Sequence, residues 1–195
     1  MTSAGSSIPL PREFFARSAH ELAPELLGAT LLVNGIGGVL VELEIYDQSD
    51  PASHSYRGRT ERNASMFGPP GHAYVYRSYG VHWCLNLVCS PPDEASALLV
   101  RALEPTHDLE RMIERRGVSE KRRLCSGPGK LCQALAVSGE HDGLALDAAP
   151  FTVFARECEP KILRCERIGI TRAQERPWRL CVADSPYLSR GPKGA

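Results

Sequence analysis

The sequence predicts a single α+β domain, and three observations carry that prediction. The chain has 195 residues, enough for one hydrophobic core or at most two small ones. Its strand candidates come as hairpins joined by glycine-bearing turns. Strand and helix candidates do not alternate strictly, which disfavours a doubly wound parallel sheet. No internal repeat and no linker divides the chain.

The elements follow in order. Residues 1–11, MTSAGSSIPLP, are small, polar and proline-bearing, and are expected to form a mobile tail ahead of a domain spanning 12–195. In SAHELAPELLG at 18–28, Ser18 and Glu21 have capping-box spacing and Gly28 suits a helix C-terminus. Pro24 conflicts with a long helix, so a short or kinked one is expected. TLLVNGIGGVLVELEIY at 30–46 predicts two strands around a glycine-rich turn. Residues 47–72 mix Pro, Ser, Asp, Gly and Arg without a period, a long loop of the kind that often carries function. AYVYRSYGVHWCLNLVC at 73–89 predicts a second hairpin that turns near Ser78, Tyr79 and Gly80. A further strand is ALLVRAL at 97–103. LERMIERR at 109–116 predicts a helix capped by Asp108 or Thr106, and another runs from Pro128 to Val137 behind Ser126. FTVFAR at 151–156 and RLCVAD at 179–184 are the last strand candidates.

Composition narrows the function classes. Lys+Arg and Asp+Glu each number 23, and zero net charge argues weakly against a nucleic-acid partner. The charge is unevenly spread, however. Arg57, Arg59 and Arg62 cluster, as do Arg115, Arg116, Lys121, Arg122 and Arg123. Each cluster reads either as a solvated face or as a phosphate-binding patch. The seven cysteines are odd in number and include no CxxC, which disfavours a disulfide framework or a zinc ribbon and fits reduced thiols in the cytosol. Cys125 and Cys132, two helical turns apart, are expected on one helix face. The N-terminus lacks a charged region followed by an apolar run, so secretion is not expected. No apolar stretch approaches the about 20 residues of a membrane span.

Several residues sit uncomfortably. On a strand over 39–46, Glu42, Glu44 and Tyr46 share one face while Leu43 and Ile45 share the other. The carboxylates either face water or stand over a pocket, where one can act as a general base. Arg101, in the middle of ALLVRAL, is either at a sheet edge or buried against a partner such as Glu42 or Glu44. Asn86, between strand leucines, either satisfies buried backbone or serves a site. His54 lies in the long loop, where a lone histidine usually faces solvent. Two tempting motifs fail. SGPGK at 126–130 lacks the first glycine of a phosphate loop and has Leu131 where Ser or Thr belongs. It is left as a helix N-terminus able to hold a phosphate on Gly127 and Lys130. Neither HExxH nor HxE with a later CxxC occurs, so metal hydrolases and zinc deaminases find no support.

Six blocks in order nevertheless resemble one family. They are ELEIY at 42–46, PASHS at 51–55, SMFGPPGHAYVYRSYG at 65–80, CLN at 84–86, LVRALEP at 99–105 and LCSGPGKLCQALA at 124–136. Together they are similar to the alkyladenine (3-methyladenine, or methylpurine) DNA glycosylases. The resemblance implies a curved antiparallel sheet with flanking helices and a protruding hairpin that enters the DNA minor groove. It implies a site without metal or other cofactor. Within it, Glu44 would activate water and Arg101 would stand beside that pair. Tyr46, His54 and Tyr76 would wall the base pocket, and Asn86 would crowd the 2-amino group of guanine. Tyr79, at the hairpin turn, would fill the gap left by the flipped nucleotide. Arg59 and Arg62 join Gly127 and Lys130 as candidate phosphate contacts. Ile45, His82 and Trp83 depart from the family's usual residues. Strand alternation aims Ile45 away from Glu44, whereas His82 and Trp83 bear on the shape of the wedge.

The implied chemistry suits these residue types. A stacked base hides its sugar carbon, so the nucleotide has to be extruded, at a cost of a few kcal/mol. An aromatic wedge offsets that by stacking in the vacated space. Purines alkylated at N3 or N7 are cationic and leave readily, so a water and a carboxylate suffice. Arg101 is expected to keep Glu44 ionised by lowering its pKa. Tyr74 shares a strand face with Tyr76 and is expected to be structural. The expected partner is double-stranded DNA carrying damaged purines: 3-methyladenine and 7-methylguanine, with hypoxanthine and ethenoadenine as further candidates. The protein is expected to act as a monomer, in the cytoplasm and nucleoid of a bacterium or the nucleus of a eukaryote. Two rival readings stand beside this one. One is a glycosylase/lyase with Lys130 forming a Schiff base. The other is a non-catalytic module that binds damaged DNA.

Overall fold

The turn chemistry at residues 34–35 sets the centre of the sheet. Asn34 and Gly35 both take positive φ, 51° and 78°, the geometry whose twist suits a two-residue hairpin. They join β1 (Thr30–Val33) to β2 (Ile36–Tyr46). The computed structural model describes residues 8–90 and 94–191. Past β1, β2 continues: β5 (Ser96–His107) pairs along one edge, and β8 (Arg179–Val182) takes over the other edge at Glu42–Glu44. A second hairpin, β3 (Ala73–Ser78) and β4 (His82–Cys89), joins the sheet through β5. β6 (Phe151–Phe154) pairs with β1, and β7 (Ile162–Cys165) with β8. The order is β3-β4-β5-β2-β1-β6, with β8 and β7 branching from β2. These ladders are antiparallel, and the sheet curves into a half-barrel within a single α+β domain. At Gly37 a Cβ would stand 2.0 Å from the Leu31 carbonyl oxygen, and at Gly38 1.8 Å from that of Glu104. Only glycine lets β1 and β5 flank β2 so closely there.

The helices follow their caps. α1 (Ala19–Leu26) starts at Ser18 with the full Ser18–Glu21 capping box, and with Pro24 inside it stays at eight residues. α2 (Leu109–Arg116) is capped by Asp108, which accepts from the Arg111 N–H, and ends at Gly117 with φ 63°. A short α3 (Lys121–Leu124) precedes α4 (Pro128–Leu135). α4 stops short of the expected Val137 because Ala136 turns left-handed, φ 57°. Cys125 caps α3 while Cys132 lies in α4, so the two share the core and not a helix face. All seven cysteines are free.

Other boundaries moved as well. β5 is longer than expected, and β7 was not anticipated. The loop at 47–72 carries a 3₁₀ turn, Glu61–Phe67, capped by Thr60. In the stretch assigned to a tail, the Leu10 N–H donates to Val153 and the Ala155 N–H to Ile8, which holds residues 8–10 along β6. Residues 1–7 lie outside the described residues.

The sheet has two unlike faces. Leu43, Ile45, Leu85, Leu87, Leu98 and Val100 pack against Leu22 and Leu26 of α1 and Leu131 and Leu135 of α4. Each such side chain contributes about 1.5–3 kcal/mol on burial. Ile45 therefore belongs to the helix-covered core, as alternation from Glu44 predicts. The opposite face carries Tyr74, Met66, Val88 and Ala97, with Tyr46 and Tyr76 packed beside them. Among the described residues, no helix is long and apolar enough to cross a membrane.

Candidate active site

One row of cross-strand partners collects residues far apart in sequence. Tyr74, Asn86, Leu99, Glu44 and Arg179 are successive register partners across β3, β4, β5, β2 and β8. Neighbouring strands lie about 4.8 Å apart, so these side chains form one floor. Beside the row the register breaks twice, leaving Val41 and Arg101 without a paired residue. Strand alternation puts Arg101 on the face of Leu99, opposite the core residues Leu98 and Val100, and so beside the carboxylates of β2.

Both carboxylates are fully buried, so neither faces water. Arg101 bridges them, with Nε 3.1 Å from Glu42 Oε1 and Nη1 3.2 Å from Glu44 Oε2. The Tyr46 hydroxyl donates to Glu44 Oε2 at 2.9 Å, and the Ile168 N–H donates to Oε1 at 2.7 Å. Burial pushes the Glu44 carboxyl above its ordinary range, and Arg101, the Ile168 N–H and the Tyr46 hydroxyl offset only part of that. Arg101 does pull the Glu44 pKa down as expected, but desolvation outweighs it, so the expectation that Arg101 keeps Glu44 ionised is corrected. A raised value makes Glu44 a stronger base once ionised.

Above this network opens a cavity of about 680 Å³. Tyr46, His54, Tyr74, Tyr76, Asn86 and Arg101 are among its walls. Glu44 is not itself in the wall but is bonded to three wall residues, Tyr46, Arg101 and Ile168, and paired with a fourth, Leu99. Tyr74 and Tyr76 stack with ring centroids 5.4 Å apart, and the His54 ring stands edge-on to Tyr76 at 4.5 Å. His54 Nδ1 is 2.8 Å from the Tyr74 hydroxyl. Desolvation in this stack, with the Arg62 charge adding to it, holds the His54 imidazole below its usual value. The loop histidine is exposed, as a lone loop histidine usually is, and is at the same time part of the wall. Tyr74 is both buried structure and wall. Asn86 Nδ2 donates to the Tyr74 carbonyl at 2.9 Å, so the amide satisfies backbone while it lines the cavity.

The hairpin turn stands at the cavity mouth. Tyr79 takes φ 49°, is 89% exposed and is also a wall residue. Such a φ is strained for a bulky side chain. His82 and Trp83 open β4 next to the turn and pack inward: a Cβ on Gly129 would meet the His82 ring at 2.6 Å, and one on Gly139 would meet Trp83 at 3.0 Å. Gly127 precedes α4 with φ 139°, and Pro128 reaches the cavity. Lys130 is exposed and outside the cavity wall. Arg59 is exposed, and Arg62 is exposed at the rim. The second basic cluster is divided: Arg122 and Arg123 are exposed beside Glu120, whereas the other three are bonded within the protein. Arg115 donates to the Ala134 carbonyl and Arg116 to that of Leu124, while Lys121 pairs with Glu104 at 3.3 Å.

Sequence reasoning missed the far wall, Ile168 to Arg172. It also missed a buried pair behind Tyr46. The Arg167 guanidinium binds Asp50 and lies 4.7 Å from the Tyr46 ring centroid. A backbone donor such as Ile168 leaves no signal in residue type. Among the described residues, no three His, Cys, Asp or Glu side chains are grouped to hold a metal ion.

Comparison with known proteins shows the family. A family model described as methylpurine-DNA glycosylase matches residues 13–186. A protein of Rhodopseudomonas palustris (strain HaA2) is 61% identical over 181 residues, 93% of this chain and 90% of its own length. One from Nitrobacter winogradskyi is 56% identical over 93% of this chain and 88% of its own. One from Rhizobium meliloti is 52% identical over 91% of this chain and 95% of its own. Each carries the name "Putative 3-methyladenine DNA glycosylase". The chain belongs to the methylpurine-DNA glycosylase family, a family of hydrolases of N-glycosyl bonds.

Proposed function

We propose that this protein is a monofunctional DNA glycosylase acting as a monomer on double-stranded DNA. It extrudes a damaged purine nucleotide into the 680 Å³ cavity and hydrolyses the bond from base to sugar. The observation that carries this reading is the buried Glu44–Arg101 pair beneath an aromatic cavity with an exposed tyrosine at its mouth. Tyr79 enters the stack where the nucleotide leaves, and stacking of that kind is worth about 1–3 kcal/mol per base. Tyr46, His54 and Tyr76 grip the flipped purine, and their electron-rich faces favour a cationic alkylpurine.

Among the described residues Glu44 Oε1 accepts one hydrogen bond, so a carboxylate lone pair is left for a water. As the water oxygen bonds to the sugar carbon, Glu44 takes its proton. The bonding electrons of the N-glycosidic bond leave with the purine. A cationic 3-methyladenine or 7-methylguanine needs no further proton. Neutral hypoxanthine and ethenoadenine require one from another donor. Lys130 is left out of this chemistry: it is exposed and, unlike Glu44, has no bond to a residue of the cavity wall among those described. With its bacterial relatives, the protein works in the cytoplasm on the nucleoid.

The test is incubation, with EDTA present, with duplexes carrying 3-methyladenine, hypoxanthine or ethenoadenine. Free base and an alkali-labile, unbroken strand support the proposal. Binding without free base favours the non-catalytic module, and direct strand cleavage favours a lyase.

A further inference from the structure

Glu42 has no part in the reaction above, yet four donors hold it. Its Oε1 accepts from Arg101 Nε at 3.1 Å, Arg179 Nη1 at 3.0 Å and the Ser189 hydroxyl at 2.8 Å. Its Oε2 accepts from the Ser189 N–H at 2.6 Å. Arg179 is the register partner of Glu44, but it turns to Glu42 and also binds the Glu166 and Arg190 carbonyls. These bonds fold the segment around Ser189 onto the network. The single guanidinium of Arg101 is thereby divided, Nε to Glu42 and Nη1 to Glu44, while Nε and Nη2 also donate to the Ser189 hydroxyl oxygen at 3.4 and 3.3 Å.

We propose that Glu42, held by Ser189 and Arg179, is a positioning residue that sets how much of Arg101 is left for Glu44. The proposal rests on the reading of Glu44 as the base. Two buried carboxylates compete for one cation, so a change at one is felt at the other. The Ser189 hydroxyl stands between the two, donating to Glu42 and accepting from Arg101. Removing the Glu42 charge frees Arg101 for Glu44. Removing the Ser189 hydroxyl takes a donor from Glu42 and an acceptor from Arg101 at once, so the two close on each other and Arg101 is drawn toward Glu42.

The two changes should therefore move the ionisation of Glu44 in opposite directions. The other groups facing Glu44 stay the same in both: Tyr46 on β2, Tyr76 on β3, Cys84 on β4, Arg167 beside the Ile168 N–H, and Arg179 on β8.

The experiment is single-turnover excision as a function of pH for the parent, Glu42→Gln, Ser189→Ala, Ser189→Thr and Glu44→Gln. The acid limb should move to lower pH in Glu42→Gln and to higher pH in Ser189→Ala. Ser189→Thr, which keeps the hydroxyl, should restore the parent limb. Should Glu42→Gln fail to fold, the serine pair carries the test. Limbs that stay in place, or that move the same way, overturn the proposal while an inactive Glu44→Gln leaves Glu44 as the base. An active Glu44→Gln sinks both.

Discussion

Arg101 Nη1 lies 3.2 Å from Glu44 Oε2, with the arginine 7% exposed and the glutamate not at all. Even with this partner, burial leaves the carboxyl above its ordinary range. The sign follows from linkage. A group whose folded-state value is raised adds stability below its unfolded value and loses it as pH rises through the folded one. Glu44→Gln cannot lose that contribution. Its melting temperature relative to the parent should therefore climb as pH rises from acid to mildly alkaline. Thermal denaturation across that range checks it, and a gap that is flat or shrinks with pH contradicts it.

Tyr79→Gly should separate folding from flipping. Tyr79 holds φ 49° while 89% exposed, so it contributes little to the core and carries backbone strain. Glycine relieves that strain, which is of order 1–3 kcal/mol. The melting temperature should hold or rise. A fluorescent base analogue in a duplex should stay stacked, and duplex excision should fall. An unchanged flipping signal would move the wedge to Val81 or His82.

Asn86→Ser should widen purine selection. Stacking on tyrosine rings does not distinguish guanine from hypoxanthine, so rejection has to come from a clash or an unpaired group at the 2-amino position. The amide is held by the Tyr74 carbonyl at 2.9 Å, and losing that bond costs about 1 kcal/mol. Excision of guanine lesions relative to hypoxanthine should rise. A lowered melting temperature with an unchanged ratio would leave Asn86 as structure alone.

Binding should depend steeply on salt although the net charge is zero. Arg62 and Arg172 stand in the cavity wall, with Arg57 and Arg59 nearby in sequence to Arg62. Each phosphate contact contributes a slope of about −0.9 in log K against log salt. Arg62→Ala and Arg172→Ala should each flatten the slope by about one such contact. Arg115→Ala should leave it unchanged, because Arg115 is bonded to the Ala134 carbonyl. A flat dependence in the parent would favour free nucleosides as substrates.

Local chemistry was the legible part of this molecule. The Ser18 box, the Asn34–Gly35 turn and the Asp108 and Gly117 caps are all written within a few residues. Strand alternation also placed Glu44 and Ile45 on opposite faces. It could not decide whether Glu42 and Glu44 meet water, because that depends on β5, β8 and the segment at 189 closing over them. The same alternation puts Arg101 on the face of Leu99, but its two partners depend on the pairing of β5 with β2, which strand period alone does not show. β7 is four residues long and defined by its pairing with β8. Ile168 acts through its backbone. The six family-like blocks supplied the names of Tyr46, His54 and Tyr76, and the fold brought these to one cavity.

The most direct test of the account is single-turnover excision by Glu44→Gln on a duplex containing hypoxanthine, with binding measured in parallel. The rate should be lower by about 10²–10⁴-fold, the usual cost of losing a general base, with damaged-DNA binding retained. A rate within about twofold of the parent would show that Glu44 does not activate the water.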